Sequence, residues 1–208
     1  MCESPSPART NRPVASGTNP DTPHAGFTTA QPAGGTIPQG GPHLSGWPRQ
    51  LTWGDFRDIQ SRPQGESEDA RISMGFRPGR LSVVEEGGQH RLGDVEFRMV
   101  LNERGSWVVA SAKSDDLLNH EQGHYDIVGL CYRDLVNEAR RLRERSRNRL
   151  IRAVSRVMRA HDQRADTLTR QYDSAEETDH GQNSTRQQAW LQQILTCRTS
   201  GAQLTPPA

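Results

Sequence analysis

Two histidines four residues apart, with an acid directly after the first, stand at His120-Glu121-Gln122-Gly123-His124. On a helix, residues four apart share a face, so both imidazoles can reach one metal ion. Glu121 is placed to meet a metal-held water without being a ligand itself. A divalent ion acidifies such a water, and the carboxylate can take its proton as general base. Residue types and spacing point together to zinc-dependent hydrolysis.

A catalytic zinc takes three protein ligands and leaves one position for water. The pentad supplies two, so a third must come from an element that folds back. Tyr172 to Gly181 is rich in competent side chains: Tyr172, Asp173, Glu176, Glu177 and His180. His180, just before Gly181, is the first choice, since a helix end there would aim its ring inward. Asp173 is the alternative, and whichever does not ligate is placed to orient a ligating imidazole. Tyr172 is a candidate hydrogen-bond donor to the oxyanion of the reaction.

The elements that must hold these residues can be read from periodicity. Leu51 to Phe56 reads as an anchoring turn or short strand, and Asp58 to Asp69 as a polar loop. Alternating apolar residues predict strands over 71–76, 81–84 and 95–101, with a turn at Glu86-Gly87-Gly88-Gln89. Asn102 to Gly105 is expected to turn the chain so that 106–110 runs back as a hairpin partner, offering an edge to an extended peptide. Ser114 then caps a helix over 115 to about 145, with Asp115 and Asp116 at the positive end of its dipole. Inside that helix Gly123 is a poor helix former, which either admits close approach of another group or is merely tolerated.

A second amphipathic helix is marked by Leu150, Val154, Val157, His161, Leu168 and Tyr172, with a kink expected at 146–148. Its other face is rich in arginine and reads as solvated, while His161 reads as a packed core histidine. A third helix is expected over 184–196, with Trp190 as a core anchor. The fold class is α+β: a small, mainly antiparallel sheet packed on two long helices plus a C-terminal helix.

The chain has 208 residues, of which only 32% are hydrophobic. The deficit lies mostly before residue 47, so 1–46 is expected to be disordered, 47–199 to form one domain and 200–208 a flexible tail. Net charge is +1, so no overall field argues for nucleic acid or for a membrane surface. No apolar run approaches a membrane span. The N-terminus lacks the pattern of a secretory signal, which as given reads as cytoplasmic. Lys113 is the single lysine among 26 basic residues. Cys2, Cys131 and Cys197 form no C-x-x-C pair, which argues against a thiolate zinc site; Cys131 and Cys197 read as a disulfide or as two packed thiols.

Leu51-Thr52-Trp53-Gly54-Asp55-Phe56, Ser106-Trp107-Val108, Leu117 to Ile127 with its H-E-Q-G-H-Y-D core, and Thr178-Asp179-His180-Gly181 with Gln187 and Trp190 resemble a bacterial family assigned as zinc-dependent proteases by an H-E-Q-G-H-F-D-like helix. The resemblance spans roughly 51–197, with Tyr125 where that family has phenylalanine. It implies a zincin-like fold, an antiparallel sheet leaning on two active-site helices, and it implies export to the periplasm or beyond. The Tyr172-Asp173 pair sits two residues farther from Thr178 than in the family pattern. The functional expectation is a zinc metallopeptidase acting on a peptide or protein substrate. Two other readings use the same residues: a non-catalytic zinc-stabilised module that binds through the arginine-rich helix, and an amidase acting on a non-protein amide.

Overall fold

The structure, a computed structural model, describes residues 40–208. Most of the expected disorder of 1–46 lies outside the described residues. Within 40–46, however, His43–Ser45 form strand β1, so the folded unit begins before Trp47.

Two small mixed sheets, an antiparallel hairpin and three α-helices make up the α+β architecture. In the first sheet, β1 runs parallel to β7 (Glu96–Leu101), which runs antiparallel to β4 (Met74–Pro78). In the second, β8 (Trp107–Val109) lies between β2 (Arg57–Ile59), parallel to it, and β3 (Ala70–Arg71), antiparallel. The third is the hairpin of β5 (Val83–Glu86) and β6 (Gln89–Leu92). Its two-residue turn is Gly87-Gly88, with φ of 60° and 74°, the positive pair that a tight hairpin requires.

The expected hairpin between 95–101 and 106–110 does not form. β7 and β8 belong to different sheets, and each is a central strand. The reason lies at Ser73: its carbonyl accepts the Asn102 amide at 2.8 Å and its amide donates to Ser106 Oγ at 2.9 Å. The β3–β4 connection thus holds the turn between β7 and β8 and sends β8 across to the second sheet. Neither strand leaves an edge free for an added peptide strand.

Helix α1 (Asp115–Arg141) begins where expected, with Ser114 Oγ accepting the Leu117 amide. The chain then breaks at 142–146 rather than kinking. α2 (Arg147–Asp173) starts afresh with Ser146 as N-cap, and the two 27-residue helices form an antiparallel hairpin. Contacts run in antiparallel order, from His161 with Glu138, through Arg164 with Asp134, to Tyr172 against Gly123. α3 (Ser184–Ser200) ends at Gly201, with φ of 75°, the left-handed cap position that favours glycine.

α1 is the central element, buried on most sides by its neighbours. Phe97 stacks on Phe76 with ring centroids 5.5 Å apart, and Phe76 meets Tyr132 of α1 at 4.2 Å. His161 is buried against Glu138, as a packed histidine. Cys131 and Cys197 are both free and buried, and burial pushes the Cys131 thiol up to about 12. The segment after α3 is docked: Leu204 is buried in the core, and Arg133, Arg164 and Arg186 donate to carbonyls of Ala202, Leu204 and Pro207. Among the described residues no helix is long and apolar enough to cross a membrane.

Candidate metal centre and hydrolytic site

The pentad and the residues after it are accounted for position by position. Gln122 Oε1 accepts the Leu51 amide at 2.8 Å, while its Nε2 donates to the Arg49 carbonyl and to Asp126. That fastens the segment before β2 to the helix. Asp126 also accepts from the Trp47 indole at 2.8 Å, and the Tyr125 hydroxyl donates to the Gly46 carbonyl. At Gly129 an added Cβ would lie 2.2 Å from the Trp47 ring, so glycine is what lets the indole close on α1.

Gly123 has the same role on the opposite side. A Cβ there would lie 2.3 Å from the Tyr172 hydroxyl. Its absence lets Tyr172 stack on His120 at 4.7 Å and meet His124 edge-on at 5.0 Å. Tyr172 was a candidate oxyanion donor. It instead lies beneath the two imidazoles, fully buried, with a hydroxyl that has no hydrogen-bond partner among the described residues. It braces the rings rather than facing the cavity.

The antiparallel hairpin brings the last residue of α2 level with the pentad. Asp173 Oδ1 lies 2.8 Å from His124 Nε2 and 3.2 Å from His120 Nε2, and the two nitrogens are 3.3 Å apart. The oxygen is buried and faces both imidazoles. Three donor atoms from three side chains therefore converge on one point. Gln187 fixes the tautomer of the first ring. Its Nε2 donates to the Asp116 carbonyl, which leaves Oε1 to face His120 Nδ1 at 3.2 Å. Nδ1 then carries the proton and Nε2 presents its lone pair to the convergence point.

Electrostatics at the cluster favour a positive charge at its centre. Burial opposes a charge on His124, but Asp173 outweighs it and pushes the ring up to about 9. Burial likewise opposes ionisation of Asp173, and the two histidines hold its carboxyl well below the usual carboxylate range. His120 is lowered, chiefly by burial. Glu121 lies outside the donor set, 3% exposed, with Oε2 accepting the Ile72 amide at 2.7 Å. Burial pushes its carboxyl up to about 7.

His180, the first choice for third ligand, is not in that cluster. Its Nδ1 lies 2.9 Å from Glu68 Oε1, and Glu68, Asp173 and His180 form a second donor group with atoms within 4.8 Å of one another. Asp173 is common to both groups. The turn after α2 sets this arrangement through three successive positive φ values, 48° at Asp179, 52° at His180 and 86° at Gly181. Such a run is costly for the two residues with side chains. The turn holds because the Thr178 amide and hydroxyl both donate to the Tyr172 carbonyl and the Asn183 amide donates to that of Thr178. Gly181 thereby lies against His120, where a Cβ would be 3.1 Å from the ring.

Sequence reasoning missed Glu68 and gave no role to Gln187. Glu68 lies in a stretch without periodicity, and nothing local marks it. Gln187 had a usable signal, a polar side chain one turn into a helix beside the site. His120, Glu121, His180 and Glu68 all line one open cavity of about 370 Å³.

No curated protein and no solved structure matches the chain. A family model matches residues 60–181, a span that runs from before Glu68 to Gly181. It holds every donor and acid just described, with Gln187 beyond its end. On that match, the chain belongs to the family described as bacterial protein of unknown function (DUF922).

Proposed function

We propose that the chain is a zinc-dependent metallopeptidase of zincin-like construction, with His120, His124 and Asp173 as the metal ligands and Glu121 as general base. The observation that carries the reading is the convergence of two imidazole nitrogens and one buried carboxylate oxygen, mutually 2.8–3.3 Å apart. Two nitrogens and one oxygen in this arrangement form a donor set that zinc accepts, with a position left for water. Gln187 supports the reading as the hydrogen-bond partner that a ligating imidazole needs on its other nitrogen.

Zinc held there would acidify a coordinated water and polarise the substrate carbonyl. Glu121 does the proton work. It takes a proton from the attacking water as the oxygen joins the carbonyl carbon. It then gives that proton to the departing nitrogen as the C–N bond breaks. Its burial suits this, since a carboxyl pushed up to about 7 exchanges protons near neutrality. The Ile72 amide holds one carboxylate oxygen and leaves the other for the water. Tyr172 and Gly181 pack against the His120 ring and keep it in place.

Metal analysis of the purified chain, paired with a broad peptide-cleavage screen, tests the reading. One zinc per chain with cleavage that a chelator abolishes supports it. Zinc-free protein that cannot be loaded, or loaded protein inert on every peptide, overturns it.

A further inference from the structure

Resting on the hydrolase reading, we propose that the cavity selects a substrate carrying a positive charge beside the scissile bond. The cavity of about 370 Å³ that holds His120 and Glu121 is open on one side and largely polar; Ala70 and Leu117 are its only apolar side chains. It therefore lacks the walls that would reward a large apolar substrate group.

Its charges are one-sided. Glu68, Asp69, Asp116 and Glu121 line it, and Asp173 adds a fifth carboxylate in the donor cluster. The lining holds one guanidinium, Arg62, and both of its hydrogen bonds go to Asp69, at 2.7 and 2.9 Å. Glu68 faces His180. Asp116 is exposed in the first turn of α1, and its side chain has no ion-pair partner among the described residues. The N-terminus of α1 opens onto the cavity at Ser114, but Asp115 and Asp116 in its first turn offset that partial positive charge. A divalent ion in the donor cluster offsets Asp173 there, while Asp116 stays without a cationic partner among the described residues. A cationic group entering beside Asp116 gains attraction in a partly enclosed space, whereas an acidic one is repelled. The group can be an arginine or lysine side chain, or the free amine of a peptide end.

The test uses the full chain loaded with zinc. Binding is measured on Glu121→Gln, so that turnover is not needed, and cleavage is measured on the wild type. The probes are short peptides blocked at both ends with Arg, Lys, Gln, Leu or Glu at one central position. A second set has a free N-terminal amine and no basic side chain. The Arg and Lys peptides, or the free-amine set, are expected to bind at least about 10-fold more tightly than the neutral blocked peptides, with Glu weakest and the differences shrinking as salt rises. Which of the two sets gains identifies the source of the charge. Asp116→Arg is expected to remove or reverse the preference. Equal binding of Arg, Gln and Glu peptides, or a basic preference untouched by Asp116→Arg, overturns the proposal. Basic peptides that bind but are never cleaved by the wild type would sink the hydrolase reading and leave the charge selection standing.

Discussion

Asp173 Oδ1, at the last residue of α2, lies 2.8 Å from His124 Nε2 in the N-terminal half of α1. This contact joins the two ends of a helical hairpin and makes Asp173, rather than His180, the nearest donor to the paired imidazoles. Asp173→Ala is expected to weaken zinc binding by at least about 100-fold, while His180→Ala changes it by less than about 10-fold. Titration with a competing chelator reads both. The opposite order would restore His180 as the ligand.

The register of the helical hairpin was nearly legible in the sequence. Both long helices, the Ser114 cap and the Gly87-Gly88 turn were legible because they rest on local rules. The sequence pattern carries the first helix to about 145 and suggests a kink at 146–148, whereas the chain breaks over 142–146. Read as a break, that stretch makes α1 and α2 an antiparallel pair of equal length, and Asp173 then falls opposite His124. His180 is the first choice from sequence because Gly181 suggests a helix end beside it and the Thr178 to Gly181 motif matches the family pattern. Its true direction depends on the left-handed run at 179–181, which no local pattern announces. The separation of β7 from β8 was hidden for a similar reason. It is set by hydrogen bonds from Ser73, far away in sequence.

Tyr172 carries a fully buried hydroxyl without a partner among the described residues. An unsatisfied buried polar group costs about 1–3 kcal/mol, so Tyr172→Phe should be neutral or stabilising in thermal unfolding. It should also retain zinc and turnover, because the ring and not the hydroxyl braces His120. A loss of turnover on the order of 100-fold with unchanged stability would return Tyr172 to an oxyanion role.

Gln187 holds His120 through Nδ1 at 3.2 Å and reaches the Asp116 carbonyl with its amide. Gln187→Leu keeps the volume and removes both hydrogen bonds. Zinc affinity is expected to fall by about 10- to 100-fold, with the fold retained by circular dichroism. Unaltered affinity would show that the tautomer of His120 is set by something else.

Glu177 gives the fold a pH dependence away from the metal centre. Burial raises its carboxyl, but hydrogen bonds from Arg186 and the Trp190 indole outweigh burial and hold it below its usual value. A carboxyl depressed in the folded state adds stability above its unfolded pKa, and that increment is lost as pH falls through the folded value. Glu177→Gln should therefore melt at a lower temperature than wild type near neutral pH. The gap should close as pH drops below about 4, the ordinary range of a glutamate. A gap that stays constant with pH would assign the effect to packing alone.

The most direct measurement compares wild type with Glu121→Gln, each loaded with zinc and assayed on one cleavable peptide. Glu121 lies outside the donor set, so both proteins should hold one zinc per chain with similar affinity. Turnover of the variant should fall by about 100- to 10,000-fold, the range for loss of a general base. Full turnover in Glu121→Gln, or loss of zinc from it, would contradict a buried carboxylate acting beside the metal rather than upon it.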